Sequence, residues 1–360
     1  MDSPAVAHAS CRQLILSNGG NWQVQPKGFT RASTLGPIID VIAAAGGSPA
    51  RVFSRADLPL TLQNAPDVFV PLKDHFKLLL QAARELSDEL FAARLGQNVT
   101  ILHLGTYGKW VAQAPTLLGA INRANRSLSH MLQSATDLFV RIRNQEAAWS
   151  YASRDSAIDG RQQNEMLALC FMVEIAREYL GRAWDPDRVL LSGQSVHDQT
   201  GLDDLFGAPV QFHDGAGTIV FDKRLLATPR PASKTPSPDA AELGQAINVP
   251  GPGDLRETVT ALVELELTER LPTVGWVAGK LGMSERSLQR ELGVHGTRFS
   301  ELAGIAIQRR AFDLLGRQER SVTDVAAELG YSDAAHFARA FKRWTGLSPR
   351  AWRENAQTSD

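Results

Sequence analysis

The chain has 360 residues, of which 43% are hydrophobic and 21% are charged, and its formal net charge is -1. This length and composition allow two globular domains with their own cores and exclude disorder as the general state. The near-neutral charge argues against a protein that coats nucleic acid without sequence preference, although the distribution of charge matters more than its sum.

The sequence shows no membrane or export signal. No apolar run reaches the roughly 18 residues that span a bilayer, and no basic segment followed by an apolar one opens the chain. We therefore expect a cytoplasmic protein without membrane contact. Cys11 and Cys170 are too few for a disulfide framework and match no metal-ligand spacing, so neither a metal nor another cofactor is expected.

The first predicted domain opens with helices. Residues 1–33 have a weak apolar pattern and are expected to be poorly ordered. Apolar residues then recur at helical spacing over 38–43 and in the stretch that begins at Pro71. Residues 137–143 and 147–153 alternate apolar with polar side chains, which predicts the two strands of a hairpin.

The same domain is predicted to end in strands. Helical periodicity returns over residues 166–180, and short strand-like segments, expected to be antiparallel, follow. These segments cover residues 188–191, 210–212 and 218–221. Blocks of helices followed by short strands predict an α+β domain over residues 34–230.

A proline-rich segment separates this domain from the rest. The chain between Thr228 and Asp254 holds six of the 18 prolines and almost no periodic apolar pattern, which is typical of a linker. We assign residues 231–253 to this linker. Residues 254–356 show no strand pattern and are predicted to form an all-α domain, in which one long central helix carries a continuous apolar face from Phe299 to Leu315.

Two copies of a helix-turn-helix pattern flank this central helix. In each copy a glycine stands where the chain needs a left-handed residue, and a polar residue then starts a second helix. The first copy contains Val277, Ala278, Leu281, Gly282 and Ser284, and the second contains Val325, Ala326, Leu329, Gly330 and Ser332. Such a repeat is far more specific than one helical hairpin, which also occurs in bundle cores.

The second helices of the two copies align if the second turn has one extra residue, so that Asp333 is its N-cap. Leu288, Arg290 and Leu292 then match Phe337, Arg339 and Phe341. Side chains at i and i+4 pack inward and the one at i+2 points out, so we expect Arg290 and Arg339 to face solvent or DNA.

The outward residues of both helices are the candidate DNA contacts, because a helix of this size fits the major groove. The alternative for the run from Ala334 to Arg353, with its five basic and no acidic residues, is a solvated helix face. The first set of candidates is Ser284, Glu285, Arg286, Ser287, Gln289 and Arg290, and the second is Asp333, Ala334, Ala335, His336, Arg339, Lys342 and Arg343.

The segments LGMSERSLQREL and SVTDVAAELGYSDAAHFARAFKRWTGLSPRAWR carry a clear resemblance. Residues 255–354 resemble the DNA-binding domain of the AraC/XylS transcription regulators. The resemblance implies recognition helices at Ser284–Leu292 and Asp333–Trp344, set about one DNA turn apart. The chain has Ile307 where the family usually has arginine, and residues 309–310, both arginine, are the candidate replacements.

The segments GSPARVFSRADLP, LGTYG, LFGAPVQF and IVFDKRLLATPRP carry a second resemblance. Residues 37–231 resemble the arabinose-binding-type effector domain of regulators related to those of ornithine use and virulence. The combined resemblance implies an activator whose partners are double-stranded DNA, RNA polymerase and an unidentified small molecule. A homodimer is compatible with this interpretation, and the sequence does not locate the effector site.

Enzyme motifs are absent from the sequence, with no nucleophile elbow and no phosphate-binding glycine loop. The scattered His75, His103, His197 and His213 are better explained as surface or structural residues, and Trp110, Trp149 and Trp184 as core rather than as pocket walls. We therefore expect no enzyme. Two alternatives stay open: a domain that only oligomerises or contacts polymerase, and a repair-type catalytic domain, which would need a reactive cysteine.

Overall fold

A computed structural model describes residues 28–154, 159–232, 235–246, 249–251, 253–316 and 320–357. Within these ranges no helix combines the length and the apolar character needed to cross a membrane. The strands are β1 Phe29–Arg31, β2 Phe69–Pro71, β3 Thr136–Arg143, β4 Glu146–Ser153, β5 Arg188–Ser192, β6 Val210–His213 and β7 Gly217–Asp222.

Helices surround these strands and make up the C-terminal part. Those up to residue 245 are α1 Ile38–Ala44, α2 Pro49–Ala56, α3 Leu72–Leu86, α4 Phe91–Gly96, α5 Gly105–Ala112, α6 Leu117–Met131, α7 Arg161–Leu180, α8 Gln199–Phe206 and α9 Ala240–Gln245. Those that follow are α10 Leu255–Glu266, α11 Val274–Lys280, α12 Glu285–Val294, α13 Phe299–Gly316, α14 Val322–Glu328, α15 Ala334–Thr345 and α16 Pro349–Gln357.

The predicted α+β architecture of the N-terminal domain is confirmed. The larger sheet has the order β3-β4-β7-β5-β6, and β3 and β4 form the predicted hairpin. The expectation that the later strands are all antiparallel is wrong for β5 and β6, which pair in parallel. The physical reason is the intervening α8, which supplies the crossover connection that parallel neighbours require.

Helix α7 is the centre of the N-terminal domain. It is buried around most of its circumference and packs against α3, α4 and β7. A helix that is apolar on several sides belongs in a core rather than at a surface. Cys170 of α7 is buried there, and burial raises the pKa of its thiol to about 12. Cys11 lies outside the described residues.

The domain begins before residue 34. Within the predicted poorly ordered segment 1–33, β1 pairs with β2 and Phe29 is buried, whereas residues 1–27 lie outside the described part of the chain. The structure also places α9 inside the predicted linker 231–253. This helix is held to the N-terminal domain by an ion pair between Lys109 and Glu242.

The C-terminal part is helical throughout its described residues, and its two halves differ in their packing. We call α11 with α12 unit one, and α14 with α15 unit two. Unit two packs on the second half of α13 in an aromatic-rich core of its own. The core of α10 and unit one is instead continuous with that of the N-terminal domain, because α10 packs against β2 as well as against α13.

Candidate nucleic-acid interface

The turns of the two units have the same backbone geometry. Gly282 has a φ of 65° and Gly330 a φ of 76°, in the left-handed region that glycine adopts without strain. After each glycine, a backbone N–H reaches back to the preceding helix: Met283 donates to the Ala278 carbonyl at 2.8 Å, and Tyr331 donates to the Ala326 carbonyl at 2.9 Å. This is the bonding of a Schellman C-cap, and it confirms the repeat.

The starts of the second helices are capped as predicted. The Ser287 N–H donates to the Ser284 hydroxyl at 3.1 Å, and the His336 N–H donates to the Asp333 carboxylate at 2.6 Å. The second turn therefore contains the extra residue that the alignment requires. The hydrogen bond from the His336 N–H is also the main reason why the pKa of Asp333 lies below its ordinary value.

The inward and outward faces of α12 and α15 are confirmed. Leu288, Leu292, Phe337 and Phe341 are each 0% exposed. The intervening arginines lie on the solvent side in both helices, and the side chain of Arg290 is 71% exposed. Both helices are therefore divided in the same way, into a buried apolar face and an exposed polar face.

On α12, fewer side chains are available for DNA contact than the sequence predicted. The Glu285 carboxylate lies over α11, where a Cβ on Gly275 would come within 2.7 Å of it. Ser284 and Ser287 bond to each other, and Arg290 pairs with its neighbour Glu291 at 3.2 Å. Two exposed side chains, Arg286 and Gln289, complete this face.

The first turn of α15 has fewer polar side chains available for DNA contact than α12 has. Asp333 serves as the cap, and Ala334 is half-buried against the core of unit two. The exposed His336 lies with its ring edge on Tyr331, at 5.2 Å between ring centroids. The neighbouring Ala335 is exposed and can offer only a methyl group.

Positive charge is concentrated further along α15. Within the described part of the chain, the exposed Arg339, Lys342 and Arg343 have no acidic partner at ion-pair distance. Arg350 instead pairs with Glu354, and Arg353 donates to the Leu315 carbonyl at 3.0 Å. The basic run from Ala334 to Arg353 thus contains three exposed cations without an ion pair among the described residues, the exposed Arg350 paired within its own helix, and Arg353, which contacts the backbone of α13.

An aromatic cluster that the sequence analysis did not single out supports α15. Phe312 of α13 stacks on Trp352 of α16 at 5.1 Å, and both rings contact Phe341. Trp344 lies on the same cluster. These ring contacts pack α15 against α13 and α16 and fix which of its faces is turned outward.

Ile307 on α13 is half-buried and packs against the core that unit one shares with the N-terminal domain. The two adjacent arginines make ion pairs between helices: Arg309 with Glu264 of α10 at 3.2 Å, and Arg310 with Glu328 of α14 at 2.8 Å. Arg310 therefore ties the central helix to unit two.

Unit one is also attached to the N-terminal domain, through Lys280 at the end of α11. Its side chain is 5% exposed, and its ammonium lies 2.7 Å from the Asp57 carboxylate and 3.0 Å from that of Asp74. Lys73 donates in turn to the Lys280 carbonyl at 3.0 Å. Burial raises the pKa of Asp74 and nearby Lys280 opposes the shift. This contact was not predicted, because its only signal in the sequence is a lysine that ends an apolar helix.

Comparison with known proteins agrees with both parts of the chain. Residues 46–230 match the arabinose-binding N-terminal domain of AraC transcription regulators, and residues 277–355 match a helix-turn-helix domain. The HTH-type transcriptional regulator VirS of Mycobacterium tuberculosis is 25% identical over 330 residues, which are 90% of this chain and 96% of the relative.

The ornithine utilization regulator of Pseudomonas aeruginosa is 23% identical over 326 residues, which are 88% of this chain and 94% of the relative. The crystal structure of the transcriptional regulator CdpR from the same organism is 23% identical, with a TM-score of 0.34, and the match covers 74% of this chain and 86% of that one. From the match of its N-terminal domain and the paired helix-turn-helix units, the chain belongs to the AraC/XylS family of DNA-binding transcriptional regulators.

Proposed function

We propose that this regulator is an activator without enzymatic activity, whose N-terminal domain binds a small molecule and thereby changes how the two units engage a promoter. The observation that carries the proposal is the buried contact of Lys280 with Asp57 and Asp74, through which unit one packs directly on the N-terminal domain. Activation and contact with RNA polymerase are proposed from the family resemblance.

The two units have different proposed roles on DNA. Arg286 and Gln289 are exposed and have no acidic partner among the described residues, and side chains of these types form bidentate contacts with guanine and adenine. Arg339, Lys342 and Arg343 form a positive surface suited to phosphates, which position a protein without reading sequence. Unit one is accordingly the proposed reader and unit two the main phosphate contact.

The test uses the full chain and the promoter region of the adjacent genes. Footprinting first locates the operator, and fluorescence anisotropy then measures operator affinity with and without the metabolites handled by the neighbouring gene products. A true effector should change the affinity by about 5- to 150-fold, the usual range of coupling between sites. Run-off transcription with RNA polymerase should rise in the same samples.

Lys280→Met tests whether the domain contact carries the response. The variant should still bind the operator, while the effector should no longer change its affinity. Lys77→Met, on an exposed position of α3, is the matched control and should respond like the natural chain. Operator binding that no ligand alters would instead favour a constitutive regulator whose N-terminal domain only oligomerises or contacts polymerase.

A further inference from the structure

A small cavity lies in the N-terminal domain, between α3, α6, α7 and the hairpin of β3 and β4. Its volume is about 60 Å³, and the apolar part of its wall consists mainly of five leucines together with Phe171, Met172 and Ile175. Among the described residues that line it there is no Asp, Glu, Lys or Arg. Its polar groups belong to Thr34, His75, Tyr107, Gln133, Tyr151 and Asn164, and the Tyr107 hydroxyl donates to the Ala124 carbonyl at 3.2 Å.

His75 supplies an unused hydrogen-bond acceptor. The residue is 1% exposed, and its Nε2 atom lies 3.2 Å from the Thr34 hydroxyl. Because that hydroxyl donates to the Arg31 carbonyl at 2.7 Å, it accepts from Nε2–H, and Nδ1 keeps a lone pair. Among the described residues no group meets hydrogen-bond geometry at Nδ1, and the side chain of Asn164 lies near enough to the ring to interact with it. Burial lowers the pKa of His75 to about 4, partly opposed by neighbouring Asn164, so the ring is neutral near pH 7.

Tyr151 supplies the complementary donor. Its hydroxyl oxygen accepts hydrogen bonds from the side-chain amides of Gln133 and Asn164, each at 2.7 Å. The oxygen is therefore held in place by two donors, and the hydrogen that it carries is the one that it can give. A buried acceptor and a buried donor on one apolar cavity match a hydroxyl group, which does both.

We infer that this cavity is the effector site and that it takes a small uncharged compound with a mainly apolar body and one hydroxyl group. The inference rests on the proposed function, since it locates the site at which the effector would act. A carboxylate or an ammonium group would be buried there without a counter-ion, and a sugar would leave most of its hydroxyls unpaired.

The size of the cavity limits the ligand further. A cavity of about 150 Å³ holds benzene, so the present volume holds only part of such a ring. A six-membered ring enters only if side chains of the wall move, and Met172 is the most adaptable of them. The ligand is thus a compact molecule rather than a long chain.

Helix α3 connects this cavity to the DNA-binding part. It carries His75 into the cavity wall, and the preceding residue, Asp74, holds Lys280 of unit one at 3.0 Å. A hydroxyl bound to His75 therefore acts on the same turn of helix that holds unit one, which is a direct physical route from ligand to recognition helix.

The test measures the binding of phenol to the full-length protein by isothermal titration calorimetry. Toluene is the matched probe without a hydroxyl, benzoate the charged probe, and L-arabinose and L-ornithine the polar ones. We expect phenol to bind at least about tenfold more tightly than toluene, the equivalent of one or two net hydrogen bonds. Benzoate, arabinose and ornithine should not bind in the cavity.

Three variants assign that binding to the cavity. Tyr151→Phe should reduce the preference for phenol over toluene at least threefold, and toluene binding then reports that the cavity is intact. Tyr179→Phe removes a buried hydroxyl of α7 outside the cavity and should keep the preference. Ala168→Leu, which adds side-chain volume to the cavity wall, should weaken the binding of both compounds at least tenfold.

The inference is overturned if neither phenol nor toluene binds, if toluene binds as well as phenol, if Ala168→Leu leaves both unchanged, or if arabinose or ornithine binds more tightly. Operator affinity measured with and without phenol separates this inference from the proposed function. Hydroxyl-selective binding that leaves operator affinity unchanged would support the cavity as a ligand site and count against ligand control of DNA binding.

Discussion

At the scale of single residues, Lys280 differs from an ordinary surface lysine because its ammonium is buried between carboxylates of another domain. A buried ion pair adds little stability as a whole, but removing one partner leaves an uncompensated charge. Asp74, 9% exposed in its side chain, would be that charge, whereas Asp57, 62% exposed, can return to water. The two acidic partners should therefore respond differently to loss of the lysine.

We predict that Lys280→Met lowers the free energy of unfolding by about 3 kcal/mol, since it removes the ion-pair partner of the buried Asp74 carboxylate. Asp74→Asn should recover much of this loss in the double variant, because no buried charge then remains. Urea denaturation of the single and double variants measures the coupling, with Lys77→Met as a control expected to change stability by less than about 0.5 kcal/mol. Strictly additive effects would show that Lys280 and Asp74 do not interact.

His75 predicts a pH dependence of stability. Its folded-state pKa is about 4, against an ordinary value of 6.5, so below pH 6.5 the unfolded chain takes up a proton that the folded chain refuses. This group's stabilising effect is complete above pH 6.5 and is lost as the pH falls toward 4, by about 3 kcal/mol in all. His75→Gln should make the decline between these values shallower in denaturation curves. Equal slopes for the variant and the natural chain would refute the assignment.

At the scale of elements, α12 and α15 share a backbone plan but present different side chains. The outward face of α12 offers a guanidinium and an amide, whereas α15 offers short or aromatic-packed side chains near its start and free cations toward its end. The repeat therefore gives two helices of equal geometry and unequal chemistry, which predicts unequal effects of mutation.

For α12, Arg286→Ala or Gln289→Ala should relax the base preference in one half of the operator. The loss should be about 1 to 3 kcal/mol for each bidentate contact, confined to the base pair that the side chain reads. Anisotropy measurements on a set of single-base operator variants would check this, with Val294→Ala, at an exposed end of the same helix, as the control. A uniform loss on every operator would assign these residues to the backbone instead.

For α15, Lys342→Ala or Arg343→Ala should weaken binding to all sequences alike. Each lost phosphate contact should reduce the slope of log affinity against log salt by about one unit. Arg350→Ala, whose side chain is already paired with Glu354, is the matched control and should change the slope less. Titrations at several salt concentrations measure these slopes. An unchanged slope in the Lys342 and Arg343 variants would contradict the phosphate role.

At the scale of the whole molecule, the continuity of the cores matters more than the proline-rich segment. Unit two has a separate core, but unit one shares its core with the N-terminal domain through α10. Elements that share a core unfold cooperatively, because contacts within one core are lost together. The boundary of folding cooperativity is therefore expected within α13 and not at residues 231–253.

A fragment that begins at residue 253 tests this boundary. We expect amide hydrogen exchange to show α14 and α15 protected as in the full chain, whereas α10 to α12 exchange faster because β2 no longer covers α10. Addition of the N-terminal domain as a separate polypeptide should restore part of the protection. Equal protection of both units in the isolated fragment would show that the C-terminal domain folds as one independent body.

Much of the helical architecture was predictable from sequence because its signals are local. The repeated glycine, the capping Ser284 and Asp333, and the spacing of Leu288 and Leu292 act within a few residues of backbone, and each appears in the structure as the pattern indicates. The hairpin of β3 and β4 was predictable for the same reason, since alternation and a short connection specify it.

Tertiary structure alone decided the features that link ligand, domain and DNA. Lys280 meets Asp74 across 206 positions of sequence, and no periodicity of either helix marks the pair. His75 and Tyr151 line one cavity only when α3 and β4 pack on α7. The sequence by itself determined which residues form helices and which side of each is apolar, because those properties follow from neighbours along the chain. Which buried polar groups meet depends on how distant elements pack, and packing is settled only in three dimensions.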